Sequence, residues 1–166
     1  MQGPALGDRH NDPVRISAKT DYAIRATAEL AAAPEHVWVK TDSVAHAQDI
    51  PLPFLLNILA ELRTAGIVRS RRGVDGGYQL ARPATMVSIA DIIRAIDGPL
   101  ASIAGVRPEE MEYAGSAAAL RDIWVALRAT MRSVLERVTL AHLAHGQLPR
   151  EVSALLKDED VWHARK

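Results

Sequence analysis

Between Ile50 and Arg82 the chain alternates stop signals with periodic apolar runs, in an order that few folds accommodate. Ile50-Pro51 marks a turn, and Pro53 suits the first turn of a helix, where its missing N–H costs nothing. Leu55, Ile58, Leu59 and Leu62 then recur at helical spacing, and Gly66 stands where a left-handed C-cap belongs. This predicts a helix over 53–65. Two strand-like runs follow, 67–72 and 78–82, around Gly73, Gly76 and Gly77, which is a hairpin signal. Val68, Ser70 and Arg72 share one face of it, and Tyr78 and Leu80 are expected to pack inward. Upstream, 41–48 reads as a short helix with Val44 and Ala47 inward and Thr41 or Ser43 as its cap. Two helices joined by a tight turn make a helix-turn-helix, and a hairpin directly behind one is a wing. The fold class expected is mainly α with a small β-hairpin wing.

Other segments fit around this unit. A first helix is expected over 18–33, capped by Ser17, with Tyr22, Ala26 and Leu30 on one face and Pro34 as its stop. Residues 37–39 suggest a short strand. Ser88 caps a helix carrying Ile89, Ile92, Ile93 and Ile96, stopped by Asp97-Gly98-Pro99; Asp91 and Asp97 read as solvated charges. Residues 100–115 lack periodicity and read as a loop. A long helix is expected over 116–146, with Leu120, Ile123, Trp124, Leu127, Met131, Val134, Leu135 and Val138 as its apolar stripe. Thirty residues of helix would reach ~45 Å, longer than this small module can cover, so a second copy is expected to bury the rest in a symmetric homodimer. The expected division is therefore a winged helix-turn-helix domain over 14–99, the loop, the dimerisation helix, and a polar tail over 147–166 containing Leu155, Leu156 and Trp162. Residues 1–13 read as a disordered extension.

Composition sets limits on function. Hydrophobic residues make up 48% and charged residues 24%, enough for a packed core. There is no cysteine, so thiolate ligation, disulfides and cysteine-based sensing are excluded. No apolar run approaches the length of a bilayer span and no leader is recognisable, so a cytoplasmic protein is expected. His142 and His145 lie three apart, but no third ligand gives them a metal pattern. No catalytic constellation appears, and enzyme activity is not expected. The net charge is zero, yet five arginines (Arg63, Arg69, Arg71, Arg72, Arg82) stand against one acid, Asp75, between residues 62 and 83. Residues 108–122 hold four acids against Arg121. Such segregation can create one anion-attracting face.

A recognition helix places its N-terminal residues against base edges in the major groove. Here those are Leu52, Pro53, Phe54, Leu56 and Asn57: Asn57 can pair with adenine and Phe54 can press on a thymine methyl. Phe54 and Leu56 also admit a plain core reading. Arg71 and Arg72 flank the hairpin turn and suit a narrow minor groove, while Gly76 and Gly77 would let backbone approach phosphate. Lys19, Thr20 and Lys40 would add phosphate contacts. Two other uses stay open: a winged-helix protein-interaction module, which the apolar first turn favours, and a small-molecule sensor lined by Met111, Tyr113 and Trp124.

Residues 15–25 (RISAKTDYAIR), 50–55 (IPLPFL), 62–68 (LRTAGIV), 72–82 (RGVDGGYQLAR) and 89–93 (IADII), with the Asp97-Gly98-Pro99 stop, resemble the Rrf2 family of bacterial regulators. The resemblance implies a homodimer with one winged helix-turn-helix per subunit, a long helix crossing to the partner, and binding to a partly palindromic double-stranded operator, usually as a repressor. By position, Pro53, Phe54 and Asn57 match the family's base-reading residues and Arg72 its minor-groove arginine. Many members hold an iron–sulfur cluster on three cysteines in the loop before the long helix. This chain has none there, and Asp21, where some members place a carboxylate ligand, cannot replace them. No cluster is therefore expected. The resemblance points instead to cluster-free members that control cysteine and sulfur metabolism, signalled by a partner enzyme or a small molecule.

Overall fold

Ser17 starts the first helix: its hydroxyl accepts the Thr20 N–H at 3.0 Å, satisfying one of the orphan donors of the first turn. The structure, a computed structural model, describes residues 16–163; the extension expected over 1–13 lies outside them. Helix α1 (Ala18–Ala32) buries Thr20, Ala23, Ala26, Thr27 and Leu30. This small-residue face lets its neighbours approach closely, and Tyr22 is only half-buried at its edge. The short helix α2 (Thr41–Gln48) buries Val44. Neither Thr41 nor Ser43 caps it, since Lys40 holds the cap position without a side-chain bond. Ala47 is exposed, and Ala45 packs on the core instead.

Asp49 takes a left-handed φ of 50°, turning the chain from α2 into α3 (Leu52–Thr64). Leu55, Ile58, Leu59 and Leu62 are essentially inaccessible and anchor α3 against α1, α2 and a fourth helix. Gly66 has φ +71°, a conformation that favours glycine, and the wing follows. Strand β1 (Val68–Arg71) pairs antiparallel with β2 (Gly77–Leu80), Val68 opposite Leu80 and Arg71 opposite Gly77. Arg72 lies beyond the ladder. Tyr78 and Leu80 are half-buried, whereas Gln79 is buried, so the expected inward set is incomplete. Arg69 explains this: it donates to Gln79 Oε1 at 2.9 Å and lies 5.5 Å over the Trp38 ring, covering the second sheet face. The strand expected at 37–39 shrinks to one bridge, Val39 to Tyr78.

Helix α4 (Ile89–Ile96) starts with a reciprocal cap between Ser88 and Asp91. Asp97, at its end, accepts from Ser17 Oγ at 2.9 Å and Thr20 Oγ1 at 2.6 Å. Both acids are structural and not merely solvated, a correction to the reading from sequence. Beyond a loop containing 3₁₀ turns at Pro108–Glu110 and Gly115–Ala117, the chain forms α5 (Leu120–Leu135), α6 (Leu140–His145) and α7 (Arg150–Leu155).

The single long helix expected over 116–146 is thus broken. Val138 and Thr139 leave the helix to pair with the strand-like residues before α4: Ile89 N–H donates to Val138 O and Leu140 N–H to Val87 O, both at 2.9 Å. Thr139 then caps α6 together with His142. Val138 is consequently buried in its own subunit and is removed from the expected dimer stripe. At 16 residues, α5 spans ~24 Å, about half the expected rod. The tail is not featureless either: α7 buries Val152, while Leu155, Leu156 and Trp162 are exposed.

Candidate nucleic-acid interface

Helix α3 is two-faced because its apolar spacing is. Leu55, Ile58, Leu59 and Leu62 point inward, which turns Leu52, Pro53, Phe54, Leu56 and Asn57 to solvent. Phe54 is 64% exposed and Leu56 47%, so neither is a core residue. The wing lies alongside. Lys40, Leu52, Leu56, Arg63, Arg71 and Arg72 line one groove of about 440 Å³ between α3 and the wing. Lys40 Nζ donates to the Val74 carbonyl, tethering the turn of the hairpin. Arg63 donates to Ser70 Oγ at 3.2 Å, joining the end of α3 to β1.

The residues expected from sequence divide accordingly. Arg71, Arg72 and Lys40 meet at the groove, and Pro53, Phe54 and Asn57 crown the adjoining first turn. Lys19 pairs with Glu61 at 2.7 Å; Glu61 lies one turn beyond Asn57 on α3, so Lys19 borders the same side of the helix. Thr20 is corrected. It is fully buried, its hydroxyl bonded to Asp97 and its N–H to Ser17, and it has no access to phosphate. Gly76 and Gly77 also line the groove. A Cβ on Gly76 would meet the Arg71 carbonyl at 2.1 Å, and one on Gly77, at φ +151°, the Val39 carbonyl at 2.3 Å. Their small size is required by the chain's own crossing at the wing. Of the five clustered arginines, Arg63, Arg71 and Arg72 face the groove, whereas Arg69 lies over Trp38. Arg63 and Ser70 were missed as groove residues. For Arg63, the signal available was its place seven residues after Leu56, on the same strip of α3.

The Rrf2 family profile, described as an iron-dependent transcriptional regulator, matches residues 16–146. The chain belongs to the Rrf2 family. Its similarity to Rv1287 of Mycobacterium tuberculosis (strain H37Rv) is 54% identity over 145 residues, 87% of this chain and 90% of that protein. The HTH-type transcriptional regulator CymR of Bacillus subtilis is 30% identical over 131 residues, 79% of this chain and 90% of CymR. The solved structure of B. subtilis CymR superposes with a TM-score of 0.70, covering 81% of this chain and 99% of that one at 29% identity. The T. potens IscR structure gives 0.62 at 27% identity, covering 92% and 93%. This chain is thus an Rrf2-type DNA-binding transcription regulator with a winged helix-turn-helix.

The residues present do not fit the iron–sulfur cluster of some relatives. No thiolate exists in the sequence, and among the described residues no group of three or more His, Asp or Glu is placed to hold a metal ion. His142, one of the two histidines considered for a metal, uses Nδ1 to accept the Thr139 N–H at 3.0 Å. In the loop before α5, Pro108 is buried and Glu109 pairs with Arg128. No helix among the described residues is long and apolar enough to cross a membrane.

Proposed function

We propose that this chain is a homodimeric, sequence-specific operator-binding repressor that works without an iron–sulfur cluster. The observation that carries it is the outward first turn of α3, with Phe54 and Asn57 exposed beside the Arg71–Arg72 wing. In this reading Asn57 and Phe54 read base edges in the major groove, and the wing arginines enter the neighbouring minor groove. Lys40 and Lys19 become free for phosphate by exchanging their internal partners.

Dimerisation is proposed through α5. None of its residues is buried within one chain. Val134 and Leu135 pack partly on the core, which leaves Leu120, Ile123, Trp124, Leu127 and Met131 as the face for a second copy. Ile123, 56% exposed, sits on that face. Ile123→Glu is expected to convert the dimer to monomer in sedimentation and to weaken operator binding at least tenfold, since each half-site then binds alone. An unchanged sedimentation coefficient would count against this interface.

The relation to CymR, titled the global cysteine regulator of B. subtilis, supports a role in sulfur metabolism, with the signal delivered by a partner enzyme or a small molecule. Genome-wide mapping of bound sites in the host tests the whole reading. The expected result is a palindromic motif upstream of sulfur-assimilation genes, de-repressed when the regulator is deleted. The exposed Leu52, Phe54 and Leu56 favour a second reading, a protein-docking face. Recovery of a stoichiometric protein partner without enrichment of any DNA site would select it.

A further inference from the structure

The loop after α4 folds back over α5 and leaves a cleft of about 400 Å³ between them. Four guanidiniums reach it from three places: Arg94 from α4, Arg107 from the loop, and Arg128 and Arg132 from successive turns of α5. Residues 98–102 form a wall, and Glu109 is the one acid among the described lining residues. Arg128 and Arg132 stand at i,i+4 on α5, which brings two guanidiniums to one side of the cleft.

The four arginines share two close carboxylates. Glu109 holds Arg128, and Glu136 holds both Arg94 and Arg132. Arg107 reaches Glu110 only at 3.9 Å. Arg94 reaches Asp91 at 3.7 Å, and Asp91 already accepts the Ser88 N–H. Within the described lining four guanidiniums face one carboxylate, Glu109, while Glu136, Glu110 and Asp91 pair with them from outside it. Arg128 is the most withdrawn of the four from solvent, with 21% of its side chain exposed. A guanidinium fork partly shielded from water is a strong partner for planar or tetrahedral oxyanions. The cleft also falls within the usual size of small-molecule sites, roughly 300–1,000 Å³. None of its arginines lines the groove between α3 and the wing, so DNA bound there would not occupy it.

We infer that this cleft binds a small molecule bearing at least two oxyanion groups (phosphate, sulfate or carboxylate), gripped by Arg128 and Arg132, with Glu109 as the internal group it displaces. That the occupant acts as a signal rests on the regulator reading; that the cleft is occupied does not.

The test is calorimetric titration of the full chain carrying Arg71→Ala and Arg72→Ala, which removes the wing as a competing anion site. The probes are inorganic phosphate, pyrophosphate and citrate. Pyrophosphate or citrate is expected to bind saturably, one per chain, and more tightly than inorganic phosphate. Arg128→Gln with Arg132→Gln is expected to weaken this about tenfold or more through loss of both forks. Glu109→Gln is expected to tighten it several-fold, a gain that no folding defect imitates. Absence of saturable heat with both polyanions overturns the inference, as does binding that neither the arginine pair nor Glu109→Gln alters. Repeating a gel shift of wild-type protein on its mapped operator with the bound polyanion tests the signalling role separately. A shift that the polyanion leaves unchanged keeps the site and overturns its role as a signal, whereas loss of operator binding without any polyanion indicts the regulator reading alone.

Discussion

Phe54 and Leu55 are neighbours, yet one is 64% exposed and the other fully buried. The helical rotation between them places Leu55 in the core and Phe54 on the exposed face of α3. Exposing a lone phenylalanine forgoes a few kcal/mol of burial, and contact with a thymine methyl would return part of it. Asn57 is an exposed amide on the outward side of α3, open to an external partner. Asn57→Ala is expected to cost about 1–3 kcal/mol of operator affinity and to relax preference at one base pair, read by competition gel shift against single-base operator variants. Asp97 acts on the other side of the ledger between function and fold. Its carboxylate takes the buried Thr20 hydroxyl as well as Ser17, and Asp97→Ala leaves that hydroxyl without its acceptor. A loss of about 1–3 kcal/mol is expected in urea denaturation.

Within the elements, the strongest sequence signals were those in which a stop residue and an apolar period agreed. α3 has both, with Pro53 at its start, Gly66 just past its end and four buried leucine or isoleucine positions between, and its bounds differ from the reading of the sequence by a single residue at each end. α5 had a period without a stop. The apolar stripe ran on through Val134, Leu135 and Val138, and only Thr139, a residue that caps as readily as it continues, marked the break. What ended the helix was a long-range pairing of residues 138–140 with 87–89, which no local pattern announces. Gln79 and Thr20 were illegible for the same reason: a neighbouring Arg69 and a distant Asp97 decide their burial. Ion pairs now tie α5 to the module. The Arg94 hydrogen bond, and then that of Arg132, holds the Glu136 carboxyl below the ordinary carboxylate range. For Glu109 the chief cause is a hydrogen bond from its own backbone, followed by Arg128. A carboxyl lowered on folding stabilises the fold above its unfolded value and loses that contribution as pH falls through the folded one. Thermal stability is therefore expected to fall below the ordinary carboxylate range. In Glu136→Gln the fall should be shallower and the Tm at neutral pH slightly lower, measured by calorimetry across pH.

For the whole molecule, a net charge of zero would seem to argue against a polyanionic partner. The structure resolves this by position. Lys40, Arg63, Arg71 and Arg72 converge on the groove beside the reading helix, while Glu109 and Glu136 are engaged with arginines of α4 and α5. A balanced total thus coexists with a locally positive groove beside α3, which can attract a polyanion there. The salt response of binding measures how many of those cations meet phosphate, because each contact releases condensed counterions and adds about 0.9 to the slope of log K against log salt. A dimer uses every contact twice. If Arg71 and Arg72 both touch phosphate or line a minor groove between phosphates, the double alanine variant should lower the slope by about two to four. It should weaken specific and nonspecific DNA alike, since such contacts position the protein without naming a base. Asn57→Ala should instead leave the slope unchanged and erode only the preference for the operator. Fluorescence anisotropy from low to moderate salt separates the two. Equal slopes for wild type and the wing variant would place those arginines away from the DNA, and the wing would then have to be read as a support for α3 alone.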